Sequence, residues 1–469
     1  MRRKSATACF LALLMLPALA AATEYRKPAG IANLTDPEVV TGYKALFTCS
    51  AHFFAGRPLE DIRKVELEEM SGLGYPDPVI DEARRFVSAT DPSGTVTRIA
   101  AFRDSMGCAV LAPEWGPEDI ARLPELPYVP APDLRDVAFP AGDRVELGAD
   151  GFAPGFQSLG AALDRAFRGD YGSKPGAVTA AVIVLKGGRI VAERYRPGFG
   201  IHSGYRTWST SKSITALLLG IAAKQGRLDL EGRADIPEWA GPQDPRGRIT
   251  YKQLMWMSSG LASGGDNSYA VYFGGQDAMS AITDNALEVP PGTRWKYANN
   301  DTLLLARALR HVIGDDEKFL RYPYEELLRP LGMHHTRMET DHLGMFVASS
   351  QTYTTARDLA RLGLFLDRDG VWNGKRYIPG GFLAFAATPA PTRPPAAGQW
   401  GYGAQFWLLD QMPGVPAGTY TTAGRKGQFV TVVPGHDLVI VRTGVDPEGI
   451  RFQQDRLVAD VVAALKKKD

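Results

Sequence analysis

The chain has 469 residues, of which 45% are hydrophobic and 22% are charged. This composition is ordinary for a globular protein, and the length allows two or three domains with sizeable cores. The 53 basic and 52 acidic side chains nearly cancel, which excludes the strongly basic surface that is typical of nucleic-acid-binding proteins. We expect neither a nucleic acid nor an acidic polymer as a partner.

The first 22 residues predict a signal peptide. Residues 2–4 are basic, residues 8–16 are apolar, and Ala18-Leu19-Ala20 has the small residues of a cleavage site. An uncleaved anchor is the alternative, but the apolar run is shorter than the roughly 20 residues that a membrane span needs. We therefore expect export to the periplasm, with no stable membrane span in the mature protein.

Two cysteines, Cys49 and Cys108, remain after removal of this leader. An even pair in an exported chain is typical of a structural disulfide, because an oxidising compartment lets the bond persist. We predict that Cys49 and Cys108 are bonded to each other. Two buried thiols are the alternative, and neither cysteine is expected to act as a nucleophile.

A proline-rich stretch predicts a domain boundary, because closely spaced prolines favour extended backbone. Its members are Pro124, Pro127, Pro130, Pro132 and Pro140. Residues 23–140 are therefore expected to form a small N-terminal accessory domain with its linker, and residues 141–469 the main domain. Within the first of these regions, residues 61–70 have helical charge and leucine spacing.

Two predicted β-hairpins bracket the main domain. Residues 178–185 and 189–195 flank Gly187-Gly188, and residues 428–433 and 438–443 flank Pro434-Gly435. Between and around them, helical spacing occurs in five segments, namely 155–168, 214–225, 302–313, 355–366 and 452–465. The sheet is expected to use both ends of the domain, with helices between them.

Ser209 and Lys212 directly precede the apolar run that begins at Ile214. Three-residue spacing in the first turns of a helix places both side chains on one face. A serine hydroxyl needs a base to become a nucleophile, and a desolvated lysine with a lowered pKa can serve as that base. A capping serine beside a surface lysine is the alternative, because Ser-x-x-Lys by itself is a weak motif.

Tyr297 and Asn299 form the chain's one Tyr-x-Asn, in a loop after Pro290-Pro291-Gly292. A phenol near a lysine can be held as phenolate or can share a proton with it, so Tyr297 could relay the proton of Ser209 to a leaving group. Asn299 would position either the substrate carbonyl or the lysine. An aromatic ring packed beneath a loop is the alternative for Tyr297.

The ordered set of Ser209-x-x-Lys212, Tyr297-x-Asn299 and a Gly-x-x-Gly at a terminal hairpin resembles class C β-lactamases and penicillin-binding-protein-like esterases and amidases. The likeness extends over about residues 155–469 and includes Ser258-Ser259-Gly260-Leu261 and Pro330-Leu331-Gly332-Met333. It implies an α/β fold of the β-lactamase/transpeptidase type. We expect an antiparallel sheet flanked by helices, a mostly helical subdomain and a small N-terminal accessory domain.

The third motif departs from the family pattern, which is usually Lys-Thr-Gly or His-x-Gly, because this chain has Arg425-Lys426-Gly427 followed by Gln428. Arg425 or Lys426 could bind an anionic group of the substrate, the alternative being solvated charges at a strand edge. The resemblance also implies an oxyanion hole formed by the N–H groups of Ser209 and Gln428. Gly427 would allow the backbone to approach closely.

The form Gly424-x-x-Gly427-Gln428 is similar to the branch that contains 6-aminohexanoate-dimer hydrolases and carboxylesterases. The resemblance therefore implies a serine hydrolase that acts on a small amide or ester through an acyl-enzyme on Ser209. A β-lactamase or D-alanyl-D-alanine peptidase is the alternative within enzymes. A catalytically silent binding protein is the alternative of another class.

Other catalytic signatures do not fit the sequence. No Gly-x-Ser-x-Gly is present, which argues against a Ser-His-Asp hydrolase. The pair His334-His335 lacks the glutamate and the helical spacing of a zinc hydrolase, and no phosphate-binding glycine motif occurs. We expect no cofactor and no metal, and the sequence does not predict the oligomeric state.

Overall fold

A computed structural model describes residues 36–262 and 267–466 of the chain. The predicted signal peptide lies outside these described residues. No helix in the described part of the chain combines the length and the apolar character that crossing a bilayer requires.

The helices of the described residues are, in chain order, α1 (Pro37–Cys49), α2 (Leu59–Val65), α3 (Gly160–Arg168), α4 (Thr210–Lys224), α5 (Tyr251–Met255), α6 (Asn267–Phe273), α7 (Ala278–Thr283), α8 (Asn299–Ile313), α9 (Asp316–Pro323), α10 (Ala356–Asp367), α11 (Phe382–Ala386) and α12 (Gln454–Lys466). The strands are β1 (Val79–Asp81), β2 (Phe86–Thr90), β3 (Thr97–Arg103), β4 (Gly107–Val110), β5 (Thr179–Lys186), β6 (Arg189–Tyr195), β7 (Tyr205–Arg206), β8 (Arg337–Met338), β9 (Thr352–Thr354), β10 (Val371–Trp372), β11 (Lys375–Arg376), β12 (Gly401–Tyr402), β13 (Trp407–Leu408), β14 (Tyr420–Gly424), β15 (Gln428–Val433) and β16 (Leu438–Gly444).

The main sheet is antiparallel and has the strand order β12-β13-β14-β15-β16-β5-β6. Both predicted hairpins are present in it. Gly187 and Gly188 form the first turn with φ of 58° and 76°, values that suit glycine and match a tight hairpin. Because β16 pairs with β5, the two ends of the main domain meet in the centre of the sheet.

Helices cover both faces of this sheet. Alternate residues of β5 point to opposite sides, so Ile183 joins the core cluster beneath α10 while Val182 and Val184 join the cluster beneath α3 and α12. A Cβ placed on Gly363 of α10 would lie 2.4 Å from Val439, so this glycine lets the helix approach the sheet closely. The architecture agrees with the predicted antiparallel sheet flanked by helices.

The N-terminal segment packs helix α1 on the separate antiparallel sheet β1-β2-β3-β4. Every residue of α1 from Val39 to Cys49 is buried, so this is an internal helix and not a surface one. A Cβ on Gly42 would lie 1.6 Å from the carbonyl oxygen of Phe273, which fixes α1 directly against α6. The division into domains at residue 140 stays a prediction.

The predicted helix over residues 61–70 is wrong in its second half. Helix α2 ends at Val65, and a separate 3₁₀ turn spans Glu68–Leu73. The hydroxyl of Tyr43 donates to the carbonyl oxygen of Glu66 at 3.1 Å, the oxygen that a continuing α-helix would pair with the N–H of Met70. A tertiary contact therefore ends the helix where its own spacing would extend it.

The proline-rich stretch is held against helix α10 by two arginines of that helix. Arg361 donates to the carbonyl oxygens of Pro140 at 2.9 Å and Gly142 at 2.7 Å. Arg357 donates to the carbonyl oxygen of Asp143 at 2.6 Å. These charge-assisted bonds supply the backbone partners that an extended, proline-rich segment cannot find in its own secondary structure.

The predicted disulfide between Cys49 and Cys108 is confirmed. It joins the end of α1 to strand β4, with a Cα–Cα distance of 6.3 Å and a sequence separation of 59. Both cysteines are fully buried. The bond therefore locks α1 onto its sheet and reduces the conformational freedom of the unfolded chain.

We predict that the double variant Cys49→Ala/Cys108→Ala unfolds with a free energy lower by about 4 kcal/mol, the loop-entropy value for this separation. Chemical denaturation of both proteins, followed by circular dichroism, measures the difference. As the control, dithiothreitol should destabilise the parent and leave the double variant unchanged. An equal effect of the reductant on both would contradict a stabilising bond.

Candidate active site

Ser209 lies at the N-cap of helix α4, where the chain turns sharply out of strand β7. The preceding residue, Trp208, has φ 51°, an uncommon backbone conformation for a side chain of this size. Its ring packs 5.3 Å from that of Phe47 in α1. Helix α4 is buried from Thr210 to Ala222, so the serine is presented by a helix that neighbours hold on all sides.

Lys212 lies one turn into α4, and its Nζ has three hydrogen-bond partners. The distances are 3.0 Å to Ser209 Oγ, 2.7 Å to Asn299 Oδ1 and 2.8 Å to the carbonyl oxygen of Ser349. The side chain is 1% exposed. The sequence predicted the proximity of Ser209 and Lys212, and the structure places the two groups in direct contact.

Burial lowers the pKa of Lys212 to about 7. The cause is desolvation, because a buried ammonium loses its hydration while the neutral amine loses little. Within the described residues, no carboxylate forms an ion pair with Lys212. The amine is therefore about half neutral near pH 7, as a general base must be.

Tyr297 lies in the loop before α8 and borders the same cleft as Ser209. Burial raises the pKa of Tyr297 to about 12, although the hydroxyl of Ser209 acts to lower it, so the predicted phenolate is not favoured and the side chain is a neutral phenol. The ring stands 5.1 Å from Lys212 Nζ and 5.6 Å from the ring of Trp407. The site therefore brings a partly neutral amine and a protonated phenol close to Ser209.

Asn299 is the first residue of α8, and its amide oxygen accepts from Lys212. Of the two predicted roles for Asn299, the structure supports the positioning of the lysine. Sequence reasoning missed Ser349, whose carbonyl oxygen accepts from the same amine. Ser349 is in turn hydrogen-bonded through its Oγ to the hydroxyl of Tyr272. A backbone carbonyl contact has no residue-type signature, so no sequence motif could have identified it.

The third motif lies on the hairpin formed by β14 and β15, called here the third-motif hairpin. This hairpin contacts the segment that carries Ser209 at Gly424, the last residue of strand β14. A Cβ on Gly424 would lie 2.0 Å from the carbonyl oxygen of Thr207. Only glycine therefore permits this approach of the strand to the chain that carries Ser209. Beyond Gly424 the hairpin turns through Lys426 and Gly427, with φ of 58° and 84°.

The charges of Arg425 and Lys426, which could bind an anionic group of the substrate, are largely used within the protein, and that role stays a prediction. Arg425 forms ion pairs with Glu69, at 2.6 Å, and with Glu448. Lys426 Nζ donates to the carbonyl oxygen of Val65 at 3.0 Å. Both side chains border the cleft, yet the N-terminal segment holds them in place.

The structure also does not place Gln428 on the cleft. Its side-chain amide donates to the carbonyl oxygen of Gly444 at 2.6 Å, and its backbone pairs with Gly424 across the hairpin. Gly427 lies beside the buried Arg442, and a Cβ there would be 1.5 Å from that guanidinium. The hairpin register therefore turns Gln428 inward, away from the position that the family resemblance implied.

The predicted oxyanion hole paired the N–H of Ser209 with that of Gln428. The structure keeps Ser209 on the cleft and brings Arg425, in place of Gln428, to the same cleft as the second candidate donor. Within the described residues, neither the N–H of Ser209 nor that of Arg425 has a hydrogen-bond acceptor. Ser209 opens helix α4, and Arg425 follows the glycine that touches Thr207. Unpaired N–H groups on either side of a serine hydroxyl can stabilise a negative oxygen.

Ser209 and Tyr297 open into a cleft of ≈ 880 Å³. Its wall combines aromatic rings, among them Trp400, Trp407, Phe429 and Phe452, with charged and polar side chains. A cleft of this size and lining is typical of a site for small organic molecules. No group of three or more histidine, cysteine, aspartate or glutamate side chains in the described ranges is arranged to hold a metal ion.

The family model for β-lactamases matches residues 163–463. The 6-aminohexanoate-dimer hydrolase of Paenarthrobacter ureafaciens is 28% identical over 377 residues, covering 74% of this chain and 90% of that protein.

Solved structures give the same fold at low sequence identity. A penicillin-binding protein homologue from Caulobacter crescentus has a TM-score of 0.52 and 17% identity, covering 68% of this chain and 98% of that one. EstCE1, a hydrolase with promiscuous acyltransferase activity, has a TM-score of 0.50 and 17% identity, covering 67% and 100%. The predicted fold class is thereby confirmed, and the chain belongs to the β-lactamase family of serine-type hydrolases.

Proposed function

We propose that this protein cleaves an amide or ester bond through an acyl-enzyme formed on Ser209. The observation that carries the proposal is the buried amine of Lys212, which touches Ser209 Oγ at 3.0 Å and has a pKa lowered to about 7. A base of this kind deprotonates a serine at neutral pH. The similarity to an amide hydrolase and to a hydrolase with acyltransferase activity supports the same class of reaction.

The partners of Lys212 direct its lone pair toward the nucleophile. Asn299 Oδ1 and the carbonyl oxygen of Ser349 can only accept hydrogen bonds. A neutral amine has two N–H groups, and these two acceptors use both. The lone pair is then left for the hydroxyl of Ser209, which donates its proton along that contact.

Acylation proceeds as Lys212 takes the proton of Ser209 and Oγ attacks the carbonyl carbon. The N–H groups of Ser209 and Arg425 would stabilise the resulting oxyanion. As the carbon–nitrogen or carbon–oxygen bond breaks, the proton held by Lys212 reaches the leaving group through the Tyr297 phenol. Water then attacks the acyl-enzyme, with the same two side chains handling its protons, and releases the acid.

The third motif favours a substrate that is an amide or ester but not a β-lactam. The Arg425 guanidinium that would face a lactam carboxylate is paired with Glu69 and Glu448. We also propose that the chain is exported to the periplasm after cleavage of residues 1–22. The Cys49–Cys108 disulfide supports this location, because such bonds persist in oxidising compartments.

Labelling by a fluorophosphonate probe tests the nucleophile. We expect intact-protein mass spectrometry to show one adduct on the parent and none on Ser209→Ala, and we expect the variant to lose at least about 10³-fold in kcat for an ester. Absence of label on the parent would contradict an activated serine and favour the binding-protein alternative. Turnover of a chromogenic cephalosporin would instead favour a β-lactamase.

The pH profile tests the base. Because only the neutral amine accepts a proton, kcat/KM for an uncharged ester should rise about tenfold per pH unit below pH 7 and level off above it. Lys212→Arg is the matched control, since a guanidinium stays protonated throughout this range. A flat profile in the parent, or an active arginine variant, would rule out Lys212 as the base.

Tyr297→Phe tests the phenol. The variant keeps the ring that packs on Tyr402 and Trp407 and removes the hydroxyl that protonates the leaving group. We expect kcat for an amide to fall by about 10²–10⁴-fold. The loss should be smaller for a p-nitrophenyl ester, whose leaving group departs without a proton. Equal losses on both substrates would argue against this role.

A further inference from the structure

Ser209, Tyr297, Trp407 and Arg393 line one cleft, and a row of aromatic rings joins Tyr297 to the arginine. Tyr297 is followed by Trp407, with ring centroids 5.6 Å apart, and Trp407 by Trp295, at 6.4 Å. The guanidinium of Arg393 lies 3.8 Å from the ring centre of Trp295 and 5.6 Å from that of Trp407. Arg393 borders the same cleft as Ser209.

Arg393 differs from Arg425 in having no carboxylate partner. Among the described residues, no aspartate or glutamate oxygen lies within ion-pair distance of Arg393, whereas Arg425 has two. Its protein hydrogen bond runs from Nη2 to the carbonyl oxygen of Trp400 at 3.1 Å. A guanidinium has five N–H groups, so most of them face the cleft or solvent.

The acidic side chains that border the cleft are engaged elsewhere. Asp446 is paired with Arg442, and Glu448 with Arg425. Asp455 accepts from the indole N–H of Trp400 at 3.1 Å. None of these three carboxylates forms an ion pair with Arg393, so its positive charge has no direct partner on the described part of this wall.

The ring of Trp295 and the backbone carbonyl of Trp400 also hold the side chain of Arg393 in place. Stacking over Trp295 and the bond to Trp400 fix the plane of the guanidinium, so a ligand would not have to order a loose side chain. Burial against the rings lowers the pKa of Arg393 from its usual value, but an arginine remains charged at neutral pH. A fixed, planar fork of donors suits a carboxylate, which binds it through two parallel hydrogen bonds.

We propose that Arg393 binds a carboxylate on the substrate, so that the preferred amide or ester is one whose apolar chain ends in an acid group. The apolar chain would lie along Tyr297 and Trp407 while the reacting carbonyl sits at Ser209. This inference rests on the proposed hydrolase function and names the substrate class of that same site.

Paired esters test this specificity. The mono-p-nitrophenyl esters of dicarboxylic acids of increasing length are compared with their methyl-capped, uncharged counterparts. We expect the parent to prefer the acid at one chain length, and Arg393→Gln to reduce that preference on the order of tenfold or more. The change should appear in KM, because a group remote from the reacting carbon is bound equally before and during reaction.

Arg451→Gln is the matched control, since Arg451 borders the same cleft and is exposed. Removing it should leave the preference for the acid unchanged, because solvent and salt screen an exposed charge. An equal loss in both variants would mean that only the net charge of the cleft matters, and would overturn a specific role for Arg393. Loss in Arg393→Gln for charged and uncharged esters alike would indicate a structural role and also overturn it.

Binding without turnover separates this inference from the proposed reaction. In the Ser209→Ala background, titration with the free dicarboxylic acid of the preferred length is followed by tryptophan fluorescence, which Trp295, Trp400 and Trp407 make sensitive to this wall. We expect Arg393→Gln to weaken binding on the order of tenfold or more. Equal dissociation constants would overturn the inference even if Ser209 proves to be the nucleophile.

Discussion

Lys212 must be kept out of water, and much of the surrounding structure serves that requirement. Its amine is useful as a base only while burial holds the pKa near 7, and burial of an unpaired amine is costly unless its hydrogen bonds are met. Asn299 from helix α8 and the carbonyl oxygen of Ser349 meet them. Neither acceptor can move away from Lys212 alone, because Asn299 belongs to helix α8 and Ser349 lies in a buried segment.

The N-terminal segment supports the same site from the opposite side. Glu339 is buried and accepts hydrogen bonds from Ser50 at 2.6 Å and from the N–H of Cys108 at 3.1 Å. It also pairs with Arg206 at 3.3 Å, in the strand that leads into the nucleophile. A buried charge pair that loses one partner leaves an uncompensated charge. The disulfide, the glutamate and the strand before Ser209 thus form one mechanically connected unit.

The third-motif hairpin shows how a neighbouring segment can change the use of a charge. Glu69 reaches Arg425 from the N-terminal segment, and the carbonyl oxygen of Val65 holds Lys426. Residues that would face an anionic substrate in isolation are instead fixed by residues more than 350 positions away. Arg393, which has no motif around it, keeps its charge available.

The sequence by itself determined the hairpins, the helix that carries Ser209 and Lys212, and the loop position of Tyr297, because these depend on local spacing and turn residues. It also predicted the disulfide from an even pair of cysteines, but the fold decided that the two lie within bonding distance. Only the tertiary structure decided the partners of Lys212, the end of helix α2 at Val65, the neutralised Arg425 and the inward direction of Gln428. Each of these depends on a contact between distant segments, where burial and charge pairing override what the local pattern favours.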